Sequence, residues 1–291
     1  MLVSQGVDAA LAGLLGLLIG SFLNVVFYRL PKMMERQWAA ELAESAESAQ
    51  TSAGTTATPE TEPPFNLMVP HSRCQNCGHV IRWYENIPIL SYVFLRGRCS
   101  SCKTPIGIRY PLVELSTGLL FAWCAWRMPG QWAALAWCGF SAALLTLALI
   151  DWDTTFLPDD ITLPLLWAGL LAALGGFTGV TLQDAVWGAV GGYVSLWAVY
   201  WAFKLATGKE GMGYGDFKLF AALGVWFGWQ ALVPIILMAS VIGVIVGVAL
   251  KFNNGLREGG YVPFGPFLAG AGFTAMFFGA GAMLRFVGLG A

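Results

Sequence analysis

Long apolar runs separated by short polar stretches occupy most of the 291 residues, and their lengths predict membrane-spanning helices. The first run, Ala9 to Tyr28, is about 20 residues long, enough to cross a bilayer at 1.5 Å per residue. A polar stretch from Arg29 to Tyr110 follows. Seven more apolar runs then come in close succession, near Pro111–Trp126, Gln131–Ile150, Ile161–Thr178, Asp184–Leu205, Phe217–Gln230, Ala231–Leu250 and Val262–Val287. The pattern predicts an all-α polytopic membrane protein of about eight transmembrane helices, with a small cytoplasmic domain between helices 1 and 2. Phe217–Gln230 is short for a full crossing. Gly188, Gly191 and Gly192, and the Gly243-x-x-x-Gly247 pair, suit close helix approach inside the chain.

The expected organisation is a first transmembrane helix over 1–28, a polar domain over 29–110 and a seven-helix membrane domain over 111–291. Within the polar domain, 38–64 is rich in Ala, Ser, Thr, Glu and Pro and reads as a flexible insertion whose first half could extend a helix. The ordered part is expected over Phe65–Tyr110.

Composition sharpens this picture. The chain is 57% hydrophobic and only 11% charged, against about 25% charged in soluble domains. Its mean hydropathy is +0.64. A net charge of -1 provides no basic surface for nucleic acid. Met1 to Ala10 contains Asp8 but no Lys or Arg, so the basic start of a cleavable signal peptide is missing. Charge placement sets the expected orientation. With the N-terminus outside, Arg29, Lys32, Arg73, Arg98, Lys204, Lys218 and Lys251 all face the cytoplasm, and only Arg127 and Arg285 fall outside.

Two groups of residues carry chemistry. Cys74-x-x-Cys77 and Cys99-x-x-Cys102, 21 residues apart, are spaced like the thiolate pairs of a tetrahedral Zn²⁺ site. Paired redox thiols are the alternative. His71 and His79 flank the first pair and read as surface residues, while Cys124 and Cys138 lie in apolar runs and read as small buried residues. The second group is acidic. Asp151 and Asp153 stand at the end of one apolar run, in IDWDTTFLPDD, and Asp216 stands at the start of another, in GMGYGDFK. The expected topology puts both clusters at one membrane face, where a carboxylate is costly and suggests function. Two carboxylates brought together share one proton, so that one member can activate water while the other polarises a carbonyl. Asp159, Asp160 and Asp184 read instead as loop acids or helix caps. The glycine run around Asp216 is neither a dinucleotide fingerprint nor a P-loop.

Five stretches together resemble the bacterial type IV prepilin peptidases, bifunctional leader peptidase/N-methyltransferases: GSFLNVVFYRLP, FNLMVPHSRCQNC, ENIPILSYVFLRGRCSSCKTPIGIRYPLVE, DWDTTFLPD and GMGYGDFK. The last also resembles the wider GxGD group of intramembrane aspartic proteases. The resemblance implies that Asp151 and Asp216 are the catalytic pair and that Cys74, Cys77, Cys99 and Cys102 hold a structural zinc. It also implies leader cleavage of prepilins and type II secretion pseudopilins at the cytoplasmic face of a bacterial inner membrane. S-adenosylmethionine-dependent methylation of the new amino terminus would follow. Gly97, in LRGRC, reads as a turn glycine or as a close-contact position near that second chemistry. Two other readings compete. One is a membrane methyltransferase without proteolysis, and the other is a non-enzymatic pilus or secretion assembly scaffold.

Overall fold

The computed structural model describes residues 2–50, 65–128, 130–252, 262–286 and 288. Among these, regular structure is helical, and β-structure is limited to two isolated bridges. The helices are α1 (Leu2–Gln50), α2 (Leu90–Phe94), α3 (Arg109–Arg127), α4 (Gln131–Thr154), α5 (Asp159–Leu174), α6 (Leu182–Thr207), α7 (Tyr214–Phe227), α8 (Leu232–Phe252), α9 (Gly265–Phe278) and α10 (Ala280–Phe286). Three segments are long and apolar enough to cross a membrane: Gln5–Ala46, Gln131–Thr154 and Trp229–Phe252. The expectation of eight crossings is thus met by length and hydropathy for three. α5 and α7 have 16 and 14 residues, below the roughly 20 a perpendicular crossing needs. α6 is long enough, but its Trp, Tyr and Gly residues dilute its hydropathy.

Two boundaries differ from the sequence reading. α1 runs on past Tyr28 to Gln50, so the polar stretch opens as helix and the first half of the expected insertion extends it, as its composition allowed. The residues after Trp38 are good helix formers such as Ala, Glu and Gln, and 35–46 are exposed, so local propensity sustains the helix there without a packed face. The remainder of the expected insertion, 51–64, lies outside the described residues. The run expected as one span over Val262–Val287 is two helices, parted at Gly279 (φ +81°); Val287 itself is outside the described residues.

The chain divides into two compact units, Gly16–Gly118 and a larger one made of 1–15 with 119–291. In the smaller unit the GSFLNVVFYRLP stretch turns its key residues inward. A side chain at Gly20 would meet the Glu114 backbone at 2.7 Å, so α1 and α3 cross closely there. One turn on, Asn24 donates to the Tyr110 carbonyl (3.2 Å), and the Arg109 guanidinium covers the Phe27 ring at 4.5 Å. Buried Arg29 donates to the carbonyls of Asn66 (2.9 Å) and Pro70 (2.6 Å), tying α1 to the polar loop. The two Arg29 bonds give a buried guanidinium the acceptors it needs.

The larger unit is built around α7. Phe217, Leu219, Phe220, Ala221, Ala222, Leu223, Val225 and Trp226 are 2% exposed or less, so the helix is enclosed on every side. Gly188 of α6 and Gly224 of α7 bring the two backbones together: a side-chain carbon on either would lie 2.0–2.2 Å from the other's carbonyl oxygen. Such close approach is how helices gain dispersion energy where lipid offers no hydrophobic advantage. Trp226 donates to the Leu165 carbonyl (3.0 Å) and packs on Phe140 and Trp137, which fixes α7 against α5 and α4. Gly243 and Gly247 face Phe267 and Val262 of the same chain, as ordinary intramolecular packing requires. The outer faces remain apolar: on α8, Val241, Val244 and Ile245 are 58–66% exposed.

Candidate active site and cysteine cluster

The acidic site lies at the ends of three helices. Asp151 occupies the last turn of α4, which closes at Thr155 in a left-handed conformation whose N–H returns to the Asp151 carbonyl (2.8 Å). Asp216 is the third residue of α7, after the cap residue Gly213. From there its carboxylate reaches back to the Gly213 backbone amide, as an acidic residue at this position of a first turn does. Both carboxylates are buried, at 4% and 8% exposure, and they are close enough for the charge of Asp151 to act on Asp216.

Asp153 points elsewhere. Residues two apart on a helix face away from each other, and Asp153 is exposed where Asp151 is buried. The structure therefore brings Asp151 and Asp216 together and leaves Asp153 outside the pair. Asp184 and Asp159 behave as a helix cap and a surface ion. Thr181 and Asp184 cap the start of α6 through each other (2.8 and 3.1 Å). Asp159 pairs with Lys218.

The two acidic motifs also touch beyond the carboxylates. A side chain at Gly215 would meet Leu157 at 2.7 Å, so the first turn of α7 lies directly on the TFLP loop that follows α4. Lys218 donates to both Asp159 oxygens (2.7 and 2.6 Å), closing the same junction from the other side. Behind the glycine loop, Tyr200, Tyr214 and Phe217 pack ring to ring at 5.3–5.7 Å, and Lys204 joins Tyr200 to Glu210. Sequence reasoning missed the Lys218–Asp159 pair. It also missed Gly265 of α9, whose N–H donates to Asp151 Oδ2 at 2.8 Å. The Gly265-Pro266 dipeptide, a helix-start signal, lay inside what read as a continuous apolar span.

In the smaller unit, the four expected cysteines converge. Their sulfurs all lie within 4.8 Å of one another, with Cys74–Cys102 at 3.8 Å and Cys77–Cys99 at 4.0 Å. These separations are far from a disulfide, about 2.05 Å, and close to the edge of a Zn–thiolate tetrahedron, about 3.8 Å for bonds of about 2.3 Å. Two equivalent knuckles build the cluster. In one, Cys74 N–H bonds to His79 and Gly78 N–H to Cys74; in the other, Cys99 N–H bonds to Thr104 and Lys103 N–H to Cys99. Gly78 and Lys103 both take left-handed φ, +71° and +60°. Through its hydroxyl and its backbone amide, Thr104 pulls the Cys102 thiol down to about 5, toward the thiolate that a metal requires. The four residues could hold a metal ion. His79 faces Glu85 (3.1 Å) and Ser100 (3.2 Å), outside the sulfur cluster. Gly97 has φ +66° and sits against the Tyr92 ring, as a turn glycine does.

Comparison with known proteins places this geometry. Residues 14–128 match the model of the bacterial peptidase A24 N-terminal domain, and residues 138–248 match that of the type IV leader peptidase family. The chain belongs to the type IV leader peptidase family. Relatives named prepilin leader peptidase/N-methyltransferase include those of Stutzerimonas stutzeri (50% identical over 91% of this chain and 89% of the relative) and of Pseudomonas aeruginosa (52% over 91% and 89%). The Pseudomonas putida protein is 53% identical over 92% and 90%. No solved structure matches the chain. The leader peptidase match covers Asp151 and Asp216, and the N-terminal match covers all four clustered cysteines.

Proposed function

We propose that the chain removes the leader from type IV prepilins and type II secretion pseudopilins with Asp151 and Asp216, then methylates the new amino terminus from S-adenosylmethionine. The observation that carries the proteolytic reading is the meeting of two buried carboxylates from helix ends 65 positions apart in sequence. The pair shares one proton. The ionised carboxylate takes a proton from water as the water oxygen bonds to the scissile carbonyl carbon. The protonated carboxyl donates to the carbonyl oxygen. Collapse of the tetrahedral intermediate breaks the C–N bond, and the departing amine gains a proton.

The cytoplasmic inner-membrane location follows from a proposed topology of eight crossings with the N-terminus outside. α9 with α10 counts as the eighth, and α3 to α8 supply one each. This topology puts the end of α4 and the starts of α7 and α9 on the cytoplasmic side. The contacts among Asp151, Asp216 and Gly265 agree with that parity. Lys204 and Lys251, in the last turns of α6 and α8, fall on the same side. A leader that stays in the cytoplasm and a following apolar helix that stays in lipid would then present the scissile bond at the level of the two acids.

The sulfur tetrahedron fits Zn²⁺ with all four positions filled by protein, so the metal would be structural and would hold no water for catalysis. Among the described residues, the two cavities that stand out do not match the methyl donor's expected cytoplasmic side. Cavities of about 630 Å³ (beside Asp184 and Trp229) and about 530 Å³ (beside Gln5 and Gln131) both open at the outward helix ends in this topology. Methylation rests on the names of the relatives.

Incubating the purified protein with a prepilin, with and without S-adenosylmethionine, tests the proposal by mass. Leader loss without the donor, and leader loss plus one methyl group with it, is the expected result. A prepilin of unchanged mass overturns it.

A further inference from the structure

The start of α9 is arranged around one hydrogen bond. The first turn of any helix leaves backbone N–H groups without intrahelical acceptors. In α9, Gly265 is the first residue, and Pro266 has no N–H to offer. The N–H groups of Phe267 and Leu268 both turn back to the Phe264 carbonyl (3.0 and 3.2 Å). The remaining first-turn donor is the Gly265 N–H, and it goes to Asp151 Oδ2 at 2.8 Å in a buried setting. No side chain caps the helix. A carboxylate from 114 positions earlier in the chain takes that place.

The absence of a side chain at Gly265 belongs to the same arrangement. A Cβ there would lie 2.6 Å from Asp151 Oδ2, 3.1 Å from its Cγ and 3.3 Å from its Cβ. Any other residue would push the carboxylate away from the amide that holds it. The positive end of the helix favours an acceptor at this position. A protonated carboxyl oxygen is a poorer acceptor, so this bond favours the proton of the pair on another of the four oxygens.

Resting on the active-site reading above, we infer that Gly265 is a positioning residue of the peptidase: its backbone N–H fixes the Asp151 carboxylate and favours Oδ2 as an acceptor. The conformation of Asp151 is thereby set before substrate arrives, which matters because displacements of about 1 Å at a reacting group can cost about a hundredfold in rate.

Full-length protein carrying Gly265→Ala or Gly270→Ala tests this on prepilin cleavage. Gly270 is exposed on the same helix with open space around it, so Gly270→Ala should match wild type. Gly265→Ala should lower kcat by about a hundredfold with KM for prepilin unchanged. Its melting temperature and its methylation of pre-cleaved pilin should also be unchanged. Replacing Gly265 by its α-hydroxy acid through nonsense suppression removes the N–H without adding bulk and should lower kcat at least about tenfold. Wild-type kcat in either Gly265 variant overturns the inference. So does a Gly265→Ala protein that loses cleavage, methylation and thermal stability together, if the hydroxy-acid protein is fully active. Asp151→Asn separates the two readings. If it still cleaves, the active-site reading has failed; if it is dead while the Gly265 variants are normal, only the positioning role has failed.

Discussion

The cysteine cluster and the carboxylate pair are both convergent sites, but they are assembled by opposite means. Each cysteine knuckle is closed by backbone bonds within six residues, Cys74 to His79 and Cys99 to Thr104. Two such self-contained loops then need only meet. The carboxylates depend on more distant parts of the chain, with one local bond, from Asp216 to the Gly213 amide. Asp151 is held by an amide 114 positions away, and Asp216 by the glycine loop and by a helix enclosed on all sides. The first site is short-range chain geometry that could hold a metal ion, and the second is a by-product of packing. The first should therefore depend on its ligand and the second on its neighbours.

The most severe test of that contrast is at the carboxylates. Asp151→Asn and Asp216→Asn should each lower cleavage of full-length prepilin by at least about a thousandfold, and the double variant should be little worse, because the two act as a unit. Both should still methylate pre-cleaved pilin, whose amino group, with a pKa of about 8, needs no dyad. Exposed Asp153→Asn should retain most cleavage. A dead Asp153→Asn beside an active Asp151→Asn would assign the pair wrongly.

At the cysteines the expected loss is one of order. Elemental analysis should find about one zinc per chain. Chelation, or Cys99→Ser, should raise amide exchange across 65–110 on the order of a hundredfold, since binding energy at such a site is folding energy, while leaving exchange in α7 unchanged. Equal protection with and without metal would show that the knuckles hold themselves.

The Lys218–Asp159 pair gives a smaller and more discriminating effect. Asp159 is about half exposed, so the bond contributes little to global stability, about 0–1 kcal/mol. It does clasp α7 to the start of α5. Lys218→Met should lower kcat about fivefold, equivalent to ~1 kcal/mol, with little change in melting temperature. Lys218→Asp combined with Asp159→Lys should recover most of the loss. Failure of the exchange to rescue would mean that Lys218 acts by something other than this clasp.

The smallest effect belongs to Lys103. Its left-handed φ of +60° costs a side-chain-bearing residue about 1 kcal/mol, and the matching position in the other knuckle is already Gly78. Lys103→Gly should stabilise the zinc-loaded knuckles by up to about 1 kcal/mol. Thermal melting of this region would show it, and a destabilised variant would mean that the Lys103 side chain, which bonds the Ser100 carbonyl, contributes more than its backbone costs.

The same contrast explains what could be read from sequence. C-x-x-C spacing is a local signal and marks four convergent residues without knowledge of the fold. The carboxylates could be narrowed to Asp151 or Asp153 with Asp216, but the choice depends on which face of α4 is buried, and an apolar run that is hydrophobic all round does not say. Gly265 was invisible because its role is a backbone N–H, and its partner is set by tertiary packing alone. The extension of α1 to Gln50 reflects propensity overriding a change in polarity, and the break at Gly279 was masked by apolar residues on both sides.

The enclosure of α7 also bears on how the protein is made. A 14-residue helix with a buried carboxylate in its first turn and no face left for lipid gains little by leaving the translocation channel alone. Its place exists only once its neighbours do, and the nearest is α6, joined to it backbone to backbone at Gly188 and Gly224. In the eight-crossing topology proposed above, the two are expected to enter the bilayer together as a hairpin, with α6 held back until α7 has been synthesised. Damage at the Gly188–Gly224 contact would accordingly appear first as failed insertion and degradation of the nascent chain, before any enzyme exists to be assayed.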